Sequence, residues 1–133
     1  MSISEKVLKH RAASHGKFSM QIPEGWLDLV EELVTNMEEV YKDFEILQVK
    51  EKFGTLRFYF SLGESSKDLD YPDKMRVFES LQSMVALYEG KSRHICMQCS
   101  SKDGVTTGLH PVQGWRIVTL CKACTEKASE GLL

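Results

Sequence analysis

The stretch FEILQVKEKFGTLRFYFSL, residues 44–62, decides how this chain is read, because its apolar residues abandon the period of the segment before it. Leu56, Phe58 and Phe60 alternate with Arg57, Tyr59 and Ser61, the pattern of a strand with one buried face. EILQVK just upstream is a second β-prone run, and EKFGT supplies a glycine able to take positive φ in a turn. The expectation is a β-hairpin. A two-stranded ribbon is marginal alone, so it must lie on helices or be extended by another chain's strand, which allows a homodimer through the ribbon edge.

Upstream, IPEGWLDLVEELVTNMEEVYKDF spaces Trp26, Leu29, Val30, Leu33, Met37, Val40 and Tyr41 by three and four residues. That spacing predicts an amphipathic helix with Glu31, Glu32, Glu38 and Glu39 mainly on its outer face. Downstream, a polar loop ends at Pro72, a residue favoured in a first helical turn. The helix it starts sets Met75, Phe78, Leu81, Val85 and Tyr88 along one face and closes near Gly90. Residues 1–23 read as a basic, partly flexible arm carrying Lys6, Lys9, Arg11 and Lys17, with AASHGK as a weak break and His10 and His15 expected to be exposed.

A chain of 133 residues and 15.2 kDa has room for one core and a small appendage. Its formal charge of -2 hides a gradient: +3 over residues 1–23, -8 over 24–90 and +3 over 91–133. Four thiolates on one divalent metal would carry about -2 and reduce the last figure to about +1, so strong phosphate-driven binding is not indicated there. No apolar run approaches the roughly 18 residues of a membrane span, and the start MSISEKVLKHRAASHGK lacks the apolar centre of a signal peptide. A cytosolic protein is expected.

Cys96 and Cys99, then Cys121 and Cys124, form two C-x2-C pairs separated by 21 residues. Each pair can turn both sulfurs to one point, and two pairs complete a tetrahedron around structural zinc. An iron–sulfur cluster has the same ligand count; a disulfide pair or thiol redox chemistry fits this context less well. GVTTGLHPVQGWRIVTL, between the pairs, reads as a turn-rich segment leading into a strand that delivers Cys121, and TEKASEGLL after Cys124 can begin a helix. Knuckle, hairpin, knuckle and helix is the order of a treble clef. The expected architecture is α+β: a helix–hairpin–helix domain over 24–90 followed by a treble-clef-like zinc module over 91–133.

LCKACTEK resembles the tail of His-Asn-His nucleases, which carry a paired Asp-His between knuckles, a later Asn and a His after the last Cys. Here Leu109-His110 stands at the pair, the spacer has no Asn, and Thr125 follows Cys124. A lone His110 cannot supply both metal site and general base, so no enzyme is expected. His94, beside the first knuckle, is expected at the surface or bonded to a thiolate.

GWLDLVEEL, QVKEKFGTLRFYF and the two knuckles, in this order, resemble a family of small, uncharacterised proteins of bacteriophages and prophages. The resemblance runs from about residue 24 to 125, through Gly25, Trp26, Gln48 to Gly54, Leu56 to Tyr59, Gly114, Trp115 and the four cysteines. Thr55 departs from it, a second glycine being usual there, and so does the long arm before Gly25. It implies a phage setting and no reaction. The expected function is noncatalytic binding of a host or phage macromolecule, a protein in the first instance, blocking host defence or redirecting host machinery. Lys50, Lys52, Arg57, Tyr59, Arg93 and Arg116 are the candidate contact residues, and nucleic acid is the alternative partner.

Overall fold

A computed structural model describes residues 3–12 and 20–133. Lys17, His15 and most of the AASHGK break lie outside the described residues. The elements are α1 (Glu5–Leu8), α2 (Leu27–Val40) behind a 3-10 turn at Glu24–Trp26, β1 (Glu45–Lys52), β2 (Thr55–Ser61), α3 (Tyr71–Ser92), β3 (Thr106–Pro111), β4 (Trp115–Leu120) and α4 (Lys122–Ser129). The protein is thus mixed α+β with two separate antiparallel hairpins, β1–β2 and β3–β4.

The alternation in β2 is realised, with Leu56, Phe58 and Phe60 buried under α2 and α3. β1 cannot alternate strictly, because its buried residues, Ile46 and Val49, are three apart. An irregularity between Ile46 and Gln48 absorbs the odd residue: Ile46 faces Phe60 and Val49 faces Phe58. The turn is two residues, Phe53 at φ 55° and Gly54 at φ 79°, the left-handed pair a tight hairpin requires.

In α2, Trp26, Leu29, Val30, Leu33 and Met37 are buried as their spacing requires, and Val34 joins them. Val40, at the helix end, is 38% exposed, whereas Tyr41, where the backbone turns extended, is half-buried and packs against the core. α3 is capped by Asp70, whose carboxylate accepts from the Asp73 N–H at 2.9 Å. Only its second half is held down: Leu81, Val85 and Tyr88 are buried, whereas Met75 and Phe78, expected on the same core face, are each 37% exposed. Phe60, near the end of β2, stacks on Phe78 at 5.1 Å between ring centroids but leaves this half of α3 open on its other side.

The segment read as an arm is partly built into the fold. Val7 and Ala12 are 2% and 1% exposed. His10, expected in solvent, is buried; it stacks on Phe44 at 4.1 Å between ring centroids. Glu38, on α2, lies 2.7 Å from His10 Nε2 and 3.1 Å from Lys9 Nζ. Burial works against its charge, but His10 and Lys9 outweigh burial and lower its carboxyl below the usual carboxylate range.

Both ribbon edges are occupied by this chain itself. On the β1 side the Ile46 N–H donates to the His10 carbonyl, the Ala12 N–H to Ile46 and the Gln21 N–H to Val49. On the β2 side Leu56 N–H donates to Ser92 Oγ and Phe58 N–H to Glu89 Oε2, each at 2.9 Å. A second chain's strand would have to displace these bonds before pairing, so the expected dimer edge is not free at these positions. Ser92 also shows that a boundary at residue 90 falls inside α3, on residues that hold the ribbon.

A Cβ added at Gly25 would fall inside the Cys96 carbonyl oxygen and 2.6 Å from the Met97 carbonyl carbon, whereas one at Gly90 in α3 meets nothing within 4 Å. Gly25→Ala therefore lowers unfolding free energy by roughly 3 kcal/mol or more, while Gly90→Ala leaves it unchanged or raises it by about 0.5–1 kcal/mol, read from urea midpoints. Because Glu38 titrates low in the folded state, its stabilisation is complete above its unfolded value of about 4.3 and lost as pH falls through the folded one. Glu38→Gln should accordingly be less stable than wild type at pH 7, with the gap narrowing as pH falls below that unfolded value.

Candidate metal centre

Each cysteine pair sits where the chain reverses. After Cys96 the backbone turns back through Ser100 at φ 71°, so that the Ser100 N–H reaches the Cys96 carbonyl at 3.1 Å. Cys121 leaves β4 and caps α4, its Sγ accepting from the Cys124 N–H at 3.4 Å; Gln98 N–H meets Cys96 Sγ at the same distance. The Cys124 N–H favours thiolate at Cys121.

The four Sγ atoms lie within 4.8 Å of one another, and Cys99 and Cys121 sulfurs are 3.6 Å apart. Bonds of about 2.3 Å in a tetrahedral zinc site space sulfurs by roughly 3.8 Å, so the set fits one such ion. Cys96, Cys121 and Cys124 are buried and Cys99 is exposed. An ion bound by all four would retain no position for water. His94 is exposed and outside this group, and His110 faces Arg116 across the β3–β4 ladder.

Burial raises the Cys121 thiol, but the Cys124 N–H and the neighbouring thiols lower it further, to about 7. At Cys124 burial, then Cys121, Cys99 and Cys96, all push upward. The Ser101 backbone favours the Cys99 thiolate, yet burial and the Cys121 and Cys96 thiols leave it raised. Without metal the cluster therefore stores protons that an incoming ion must displace.

The centre is seated on the first core. Trp26, fully buried, donates from Nε1 to the Ile95 carbonyl at 2.9 Å; Gly25 N–H donates to Met97 at 2.8 Å, and Ser100 Oγ donates back to Gly25 at 2.9 Å. A second seat lies at the tip of the β1–β2 hairpin. Thr119 Oγ1 donates to the Gly54 carbonyl at 2.6 Å, and a Cβ at Gly54 would meet Thr107 and Thr119 at 2.8 and 2.9 Å.

Of the candidate contact residues, four come together. Lys50 and Arg57 are cross-strand partners, and Lys52 and Tyr59 share their outward face. Arg57 Nε is buried without a hydrogen-bond partner. Arg116 is elsewhere, engaged with Glu51 at 3.1 Å, and Arg93 follows the end of α3. The sequence reading passed over a second group: Phe53, Leu109, Trp115 and Ile117 are large, apolar and exposed. The signals were a phenylalanine where a tight turn demands positive φ and a tryptophan directly after the Gln113–Gly114 turn.

Compared with family models, with curated proteins and with solved structures, the chain finds no match in any of the three. Among the described residues no helix is long and apolar enough to cross a membrane.

Because an ion must displace thiol protons, affinity should fall by roughly tenfold or more for each pH unit below 8, read by competition with a chromogenic zinc chelator. Cys121→Ser should abolish submicromolar binding at every pH. A pH-independent affinity would contradict the proton-storing cluster.

Proposed function

We propose that this chain is a noncatalytic, zinc-stabilised binding protein whose partner is another protein, met by an apolar face that the two hairpins build together. One observation carries the reading: Phe53, Leu109, Trp115 and Ile117 are 63%, 60%, 70% and 41% exposed, and three of the four stand on one face of a single hairpin. Leu109 and Ile117 are cross-strand partners, and Trp115 lies two residues along on the same face. Thr107 and Thr119, the next pair in the other direction, carry Gly54, which brings Phe53 to the side of that face. Holding a bulky residue at φ 55° costs on the order of 1–2 kcal/mol, and Asn would serve the turn better. A strained, exposed phenylalanine next to the Thr107–Thr119 end of a face that also exposes a tryptophan is what a contact surface retains and a solvated one discards.

Zinc suits this role as a fixative. The order knuckle, β3–β4 hairpin, knuckle, α4 supports a treble-clef-like module, and a four-thiolate ion gives folding free energy rather than a reactive water. A phage setting, with occlusion of a host component as the mechanism, rests on the resemblance of the GW, QVKEKFG-LRFY and knuckle segments alone.

A nucleic-acid reading is favoured by one feature, the Lys50–Arg57 pair with Tyr59 beside it and Arg57 Nε unpartnered. The -8 charge of residues 24–90 opposes it. Zinc-loaded protein, used for affinity capture from bacterial lysate, separates the two. Protein binding predicts a partner that resists nuclease and moderate salt and is lost by roughly tenfold or more with Trp115→Ser or Leu109→Ser, while Lys50→Glu/Arg57→Glu retains it. Capture that depends on Lys50 and Arg57 and vanishes with nuclease would overturn the reading.

A further inference from the structure

At the opposite end of the first domain from the metal centre, the N-terminal half of α3 carries an apolar row that is left exposed among the described residues. Tyr71, Met75 and Phe78, spaced by four and three residues, are 73%, 37% and 37% exposed. No residue from 71 to 80 is buried. Across from them stand Phe60, whose ring stacks on Phe78 at 5.1 Å, and Leu62 at the end of β2. The groove between holds about 630 Å3, within the roughly 300–1,000 Å3 range of ligand clefts, and is open to solvent rather than enclosed.

Charge selects the occupant. Glu45 and Glu64 line the groove against a single lysine, Lys74. Arg76, the nearest other cation on α3, is already bonded to Asp73 at 3.0 Å. An apolar floor seven residues long on a helix spans about 10 Å, two turns, and matches a partner ridge of i, i+4, i+7 anchors. We propose that this groove binds an amphipathic helix of a partner protein, with Leu- or Phe-type anchors against Tyr71, Met75 and Phe78 and lysine or arginine residues directed at Glu45 and Glu64. The site is separate from the Phe53–Trp115 face, so the two surfaces can be occupied at once.

Fluorescence anisotropy with zinc-loaded full-length protein tests it. The probe is a labelled 14-residue helical peptide with leucines at i, i+4, i+7 and i+11 and lysines flanking them; controls carry glutamates in place of the lysines, or the same composition scrambled. The expected result is micromolar binding of the basic helix, weakened about tenfold by Met75→Asp and about tenfold by Glu45→Lys/Glu64→Lys, with both controls at least tenfold weaker. Met75 and Glu64 are exposed and Glu45 is half-buried, and unchanged thermal melts confirm the fold of each variant. Trp115→Ser should leave probe binding intact, which keeps failure here distinct from failure of the proposed function. Equal binding of the acidic or scrambled peptide, or insensitivity to both variants, would overturn the proposal. So would a dimer in sedimentation that Met75→Asp dissociates, since a second copy would then fill the groove.

Discussion

Everything in this molecule depends on a glycine that has no room for a side chain. Gly25 lies against the carbonyls of Cys96 and Met97, and the residue after it, Trp26, sends its indole N–H to Ile95 while its ring fills the first core. The start of α2 and the first knuckle are thus fixed by the same two residues. Two small hydrophobic clusters, one around Trp26 and one around the cysteines, would each be marginal at this size. Backbone-to-backbone contact at Gly25, with three hydrogen bonds around it, makes them one cooperative structure.

A second seat, Gly54 on Thr107 and Thr119, joins the two hairpins. The tip of one hairpin is pressed onto the face of the other that carries Leu109, Ile117 and Trp115, with Phe53 adjoining the seated glycine. The metal ion would act at a distance, by holding β4 and α4 where Thr119 can receive Gly54. The self-occupied edges of β1 and β2 fit the same logic, since a ribbon whose N–H groups are already bonded exposes side chains rather than backbone and avoids indiscriminate strand pairing.

The sequence was legible where pattern and packing coincide. α2, β2 and the turn follow directly from period and glycine placement, and the four cysteines announce their convergence by spacing. β3 was obscured because Gly108, His110 and Pro111 break the alternation that would mark a strand; its ladder is imposed by pairing with β4. The arm was misjudged because its anchors, Val7, His10 and Ala12, are isolated residues whose partners on α2 and β1 lie some 28 to 36 positions away. Met75 and Phe78 show the converse limit. Helical period identifies an apolar face and is silent on whether anything arrives to cover it. The contact residues nominated for charge were separated by topology, Arg116 being used internally by Glu51, while the exposed apolar group was invisible to a search for charge and chemistry.

The claim that the metal centre and the helix–hairpin core are one unit is tested most directly by hydrogen exchange resolved along the chain, before and after chelation of the metal. A single unit predicts that chelation accelerates exchange together at the Gly25–Trp26 turn, at the Gly54 tip and through the amides of α2 and the β1–β2 ladder, as well as in residues 94–133. Acceleration confined to residues 94–133, with the Trp26 core unchanged, would show that the cysteine module is an appendage and would contradict the account.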